Sequence, residues 1–149
     1  MRRPRRLSPR RSPDALEAAV GALARRDLTA SELDQRLARA GFAADARSGA
    51  LARLREAGYV DDTRVALERA GRLAGRGLGD AAIRFDLDRR GVPGDVVEEA
   101  LASLESERVR ASRLARSLGG GQRAARALAR KGFEPDAIAS AVEVVADDA

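Results

Sequence analysis

The chain has 149 residues, 44% hydrophobic and 34% charged, with a net charge of +5. It contains no Cys and no His, which excludes disulfides, thiolate chemistry, Cys/His zinc sites and His-based acid–base catalysis. Aromatics make up only 3%, so the core must rest on Leu, Val, Ile and Ala, and Ala and Leu favour helix over strand.

Residues 1–13 hold six arginines, three of the five prolines and no acid. They carry no periodic apolar face and are expected to be a disordered basic tail. Without those six arginines, 22 basic residues face 23 acidic ones, so the high isoelectric point belongs to the tail. No apolar stretch follows the charged N-terminus, and no apolar run approaches the roughly 18 residues of a membrane span. A cytoplasmic, non-membrane protein is the expectation. All but one of the 28 basic residues are Arg, a bias that a GC-rich genome produces, so Arg richness alone says little about function.

The remainder reads as three copies of one pattern, over 14–60, 61–105 and 106–149. The copies align on Gly41, Gly91 and Gly132. Each glycine is followed by an apolar residue: Phe42, Val92, Phe133. Leu37, Leu87 and Leu128 lie four residues before it, and Asp45, Asp95 and Asp136 four after. Ala50, Ala100 and Ala141 lie nine after, followed by Leu51, Leu101 and Val142 at ten and Leu54, Leu104 and Val145 at thirteen. The glycine suits the positive φ that closes a helix, the apolar residue packs back over the corner, and the Asp sits in the next helix's first turn. Pro93 and Pro135 also suit a helix start.

In the first copy, Leu16, Ala19, Val20 and Leu23 form the stripe of a leading helix. Thr29-Ala-Ser-Glu32 is a capping box opening the second helix. Arg47 stands where the other copies have an apolar residue, which predicts a later start or looser packing for the third helix. In the second copy, Ala66, Ala70 and Leu73 mark the leading helix, Gly75, Gly77 and Gly79 the break, and Val97, Ala100, Leu101 and Leu104 the last stripe. In the third, Ala111, Leu114, Ala115 and Leu118 mark the leading helix, Gly119, Gly120 and Gly121 the break, and Ile138, Ala141, Val142 and Val145 the last stripe. The expected fold is all-α: three tandem three-helix repeats in an elongated, curved array.

The glycine runs do not read as phosphate loops, because neither follows a strand nor precedes Gly-Lys-Ser/Thr. Asp61 and Asp62 are adjacent carboxylates with no third ligand nearby, and N-capping of the helix starting near Thr63 accounts for both. The basic residues are the better candidates. Arg108, Arg110, Arg113, Arg116, Arg123, Arg126, Arg130 and Lys131 are opposed only by Glu107, a net of +7 over 106–131. Arg123, Arg126 and Arg130 share one helical face, which suits phosphates or an acidic partner surface; a plain solvated face is the alternative. Arg25 and Arg26 are further candidates. Arg39, Arg89 and Arg130 share a repeat column, which helix C-terminal charge also explains. The middle copy has seven Arg and ten acids, so charge alternates along the chain.

These motifs resemble the RecX family. Ala24-Arg-Arg-Asp-Leu-Thr-Ala-Ser-Glu-Leu33, with Leu37 and Gly41-Phe42, is similar to its opening motif. Gly58-Tyr-Val-Asp-Asp62, with Arg64 and Ala66, is similar to its central motif. Arg76-Gly77 with Ile83 and Leu87, and Lys131-Gly132-Phe133 with Ile138, resemble its later blocks. Val65 departs from the family's usual Phe, which implies a smaller core contact. The resemblance spans nearly all of 14–145 and leaves out the tail. It implies a tandem three-helix fold and a protein that binds the RecA filament on single-stranded DNA and inhibits its recombination and coprotease activities. It also implies weak DNA binding, single-stranded and in some members double-stranded. A monomer with no cofactor, no metal and no catalytic residue is expected. A helical DNA-binding protein without a RecA role is the alternative, and a small hydrolase has no support in residues of the right kind.

Overall fold

The structure, a computed structural model, describes residues 13–148. Apart from Pro13, the basic tail expected from the sequence lies outside the described residues. These are all helix and connecting turn: α1 (Ala15–Leu23), α2 (Ala30–Arg39), α3 (Ala44–Glu56), α4 (Asp62–Gly75), α5 (Asp80–Arg89), α6 (Gly94–Ala102), α7 (Glu107–Ser117), α8 (Gly121–Arg130) and α9 (Pro135–Asp147). The fold is all-α, built of three tandem three-helix repeats.

The aligned columns have a common local cause. The amides of Phe42, Val92 and Phe133 each donate to the carbonyl of Leu37, Leu87 or Leu128 at 3.1 Å. The intervening glycine has positive φ, +76° at Gly91 and +81° at Gly132, which completes the helix-closing motif. The same three leucines are buried, so one column both accepts the closing bond and anchors the core.

Each unit closes its own apolar core. Leu33, Leu37, Leu51 and Leu54 centre the first, Ile83, Leu87, Val97 and Leu101 the second, and Leu128 and Phe133 the third. Several details depart from the sequence reading. The buried face of α1 is Ala15, Ala19 and Ala22, which leaves Val20 52% exposed. In α9 the buried positions are Ala137 and Ala141, and Ile138 is half-buried beside them. The cause is the pairing with α7, which offers Ala111 and Ala115, so the two helices meet through alanine faces. Leu118 caps α7 and stays exposed. The third helix of unit one does not start late. It begins at Ala44, and Arg47 donates to the Phe42 carbonyl at 2.8 Å and to Asp34 at 2.9 Å.

The joints between units are polar. At the first joint the Thr29 hydroxyl donates to the Arg90 carbonyl at 2.7 Å, and the Ala30 amide donates to Asp62 at 2.8 Å. At the second, the Gly79 amide donates to the Lys131 carbonyl at 2.9 Å, and the Asp80 amide to Glu107 at 2.8 Å. These are equivalent contacts. Thr29 and Gly79 are the N-caps of α2 and α5, Arg90 and Lys131 the C-caps of α5 and α8, and Asp62 and Glu107 the first residues of α4 and α7. A side chain on Gly79 would run into Gly132 and Phe133, which is why the second joint uses a direct backbone bond where Thr29 uses its hydroxyl. The second helices therefore follow one another: α8 ends against the start of α5, and α5 ends against the start of α2. Among the described residues, bonds crossing unit boundaries join first to second and second to third.

Candidate nucleic-acid and partner interface

Helix α8 forms on an alternation that separates two faces cleanly. Ala124 and Leu128 are fully buried, while Arg123, Arg126 and Arg130 are exposed on the opposite face. No acid lies in α8, and Gln122 is the one side chain that Arg126 reaches, at 3.5 Å. Among the described residues Arg123 and Arg130 have no ion-pair partner. With Arg108 and Lys131, which also have no ion-pair partner among the described residues, this stripe makes up the uncompensated part of the +7 segment.

The arginines of α7 are placed differently. Arg113 makes two hydrogen bonds to Glu105, at 2.9 and 2.7 Å, and Arg116 reaches Asp148 at 2.8 Å. The Arg113 pair holds the Glu105 carboxyl below its ordinary value. Arg108 is exposed and rims an open cleft of about 460 Å³ with Arg113, Arg116, Val109 and Val144. Arg110 is turned inward, with 9% of its side chain exposed. It pairs with Asp80, donates to the Leu78 and Glu105 carbonyls at 2.9 Å, and lies over the Phe133 ring at 5.9 Å. Arg110 thus spends its donors inside the second joint. It occupies in α7 the place that Val65 occupies in α4, one step of the repeat earlier.

Lys131 is half-buried and its carbonyl belongs to the second joint. Arg25 and Arg26 lie just beyond α1, both exposed, with Arg26 3.6 Å from Glu32. They belong to unit one and are not gathered with the α7 and α8 arginines of unit three. Near Arg26, a cleft of about 310 Å³ at the first joint is lined by Arg69, Arg72 and Arg90 along with Asp27 and Glu68. Its charges are largely matched: Arg90 pairs with Glu32 at 3.2 Å and Arg69 grips Asp86 with bonds of 2.9 and 2.8 Å.

The adjacent aspartates divide their work. Asp61 caps α4 through the Arg64 amide at 3.1 Å, as its position suggests. Asp62 caps α2 of the preceding unit instead. One residue carries more than the sequence reading assigned to it. Phe85, on α5, is 67% exposed, with the Arg89 guanidinium 6.0 Å from its ring centre. Its signal was available: it shares a repeat column with Gln35 and Arg126, both exposed. Among the described residues no cluster of acids is placed to hold a metal, and no helix is long and apolar enough to cross a membrane.

Comparison with known proteins identifies relatives along the whole length. The family model for the second three-helix domain of RecX matches residues 61–101. Regulatory protein RecX of Xanthomonas axonopodis pv. citri (strain 306) is 34% identical, over 89% of this chain and 88% of its own. Regulatory protein RecX of Stenotrophomonas maltophilia (strain R551-3) is 32% identical, over 99% of this chain and 93% of its own. The crystal structure of RecX from Lactobacillus salivarius superposes with a TM-score of 0.76 at 19% identity, covering 88% of this chain and 94% of that one.

Proposed function

The chain belongs to the RecX family, and on that premise we propose that it binds the RecA filament on single-stranded DNA and inhibits its recombinase and coprotease activities. In this reading it regulates recombination, DNA repair and the SOS response as a cytoplasmic monomer, by occupancy rather than by catalysis, and needs no cofactor. The observation that supports it is the uncompensated α8 face, Arg123, Arg126 and Arg130, on a chain of units joined end to end. Such a face suits phosphates and acidic protein surfaces alike, because in both cases its attraction is long-ranged and unmatched at home. Arg108, Lys131, Arg25 and Arg26 stand as secondary contacts, and Arg113 and Arg116 contribute where their present partners yield.

The test is ATP hydrolysis by the cognate RecA on single-stranded DNA, titrated with this protein and with the triple variant Arg123→Ala, Arg126→Ala, Arg130→Ala. Ala keeps the helix, so circular dichroism should match the parent. The parent should slow hydrolysis, and the variant should need much more protein with weaker salt dependence. A parent that binds DNA and leaves hydrolysis untouched would favour the second reading, a helical DNA-binding protein without a RecA role. The absence of any acid from α8 gives that reading its own support.

A further inference from the structure

We propose that the outer faces of α8, α5 and α2 form one path for single-stranded nucleic acid, on which Phe85 stacks a base. The proposal builds on the strand-binding half of the reading above and is independent of RecA.

The path follows from the joints. Since α8 ends against the start of α5, and α5 against the start of α2, their outward columns follow one another along the molecule. One column reads Arg130, Arg89, Arg39, and all three are exposed. The column four residues earlier reads Arg126, Phe85, Gln35. The cations therefore recur from unit to unit, and a lone aromatic stands in the middle of the row.

The chemistry around Phe85 favours a base over a protein side chain. A protein hot spot is a packed apolar cluster ringed by polar residues. Phe85 has no such cluster on its row. Beyond the two columns, the exposed positions of the three helices are Arg36, Ala38, Asp88, Gln122, Arg123 and Ala129, with Gly121, and none carries a large apolar side chain. An isolated ring between cations is the arrangement that single-strand binders use, with arginines on the phosphates and a π-face for any base. The Arg89 guanidinium by the ring adds a second flat cationic surface beside it. A duplex keeps its bases stacked on each other and offers the ring nothing to cover.

The test uses the full chain without RecA, reading fluorescence anisotropy of a labelled oligo-dT strand and of a duplex across a salt series. Residues 1–13 supply six arginines to any polyanion but no aromatic, so a Phe85-dependent term is separable from theirs. Phe85→Ala should weaken strand binding about tenfold with an unchanged salt slope, since stacking is not ionic. Duplex binding should be unaffected, and Phe85→Trp should restore the strand. The double variant Arg89→Ala, Arg130→Ala should instead flatten the salt slope by about 1.4, two phosphates at ~0.7 each. Phe85 is largely exposed, so the variants should keep the parent's melting profile.

Several outcomes overturn the proposal: no strand binding by the parent, wild-type strand affinity in Phe85→Ala, or equal losses on strand and duplex. Intact strand binding by Phe85→Ala, with RecA inhibition lost in the hydrolysis assay described above, would make Phe85 a protein contact and overturn it too. Strand binding that depends on Phe85 without any effect on RecA would leave this inference standing while the RecA reading fell.

Discussion

The carboxylate of Asp62 accepts the backbone amide of Ala30 at 2.8 Å, so the first residue of α4 caps a helix in the unit before it. Asp61, its neighbour, caps its own helix. Asp62→Ala is expected to cost about 1 kcal/mol, the usual worth of an N-cap, and Asp62→Asn to keep most of it. Urea unfolding of the three proteins checks this. Equal stability of Asp62→Ala and the parent would show that the bond across the joint contributes nothing.

Arg110 and Arg116 look alike in sequence, six residues apart on α7. The structure predicts opposite responses. Arg110→Ala leaves the Asp80 carboxylate and two carbonyls without their donor, at a cost of about 2 kcal/mol. Arg116→Ala, at an exposed pair with Asp148, should change stability by less than about 0.5 kcal/mol. Arg110→Lys should not rescue, because one ammonium cannot span the forked set of acceptors. Chemical denaturation of the three variants is the measurement, and a similar loss for Arg110→Ala and Arg116→Ala would contradict the assignment.

Acid stability carries a third expectation. The hydrogen bonds from Arg69 hold the Asp86 carboxyl below its ordinary value, despite the partial burial that works against them. The folded pKa is lower than the unfolded one. The pair's contribution is therefore complete above the ordinary Asp value and fades as pH falls through the lower folded one. Asp86→Asn should accordingly lose stability at neutral pH and approach the parent below about pH 4. Urea midpoints of both proteins across the acid range test this; a constant gap at every pH would show that the ion pair is not the source.

Local signals were the legible ones. Each Leu–Gly–apolar motif, at Leu37, Leu87 and Leu128, and the capping box at Thr29 is written within six residues, and its closing bond or cap forms between those same residues. The stripe on α8 was readable because its two faces differ so sharply in polarity. Arg110 was not readable, since an arginine among arginines looks like surface, and its acid, Asp80, lies 30 positions earlier. Sequence alone places Asp62 on the wrong helix, because the amide it accepts, that of Ala30, lies 32 positions earlier. The shift from Ile138 to Ala137 in α9 depended on what α7 presents, which no window around α9 contains.

The closed cores have a mechanical consequence. Bending the molecule at a joint exposes mainly caps, carbonyls and carboxylates, which water satisfies, with a small apolar share from Val65 at the first joint and Phe133 at the second. Flexing therefore bares a mostly polar seam. It is also unequal. Two backbone-to-backbone bonds, from Gly79 and Ala81, clamp the second joint, whereas the first is held through the side chains of Thr29 and Asp62 and their neighbouring ion pairs. Units two and three are therefore expected to move together and unit one to swing more freely, which hydrogen exchange would show as a faster Ala30 amide than Gly79 amide.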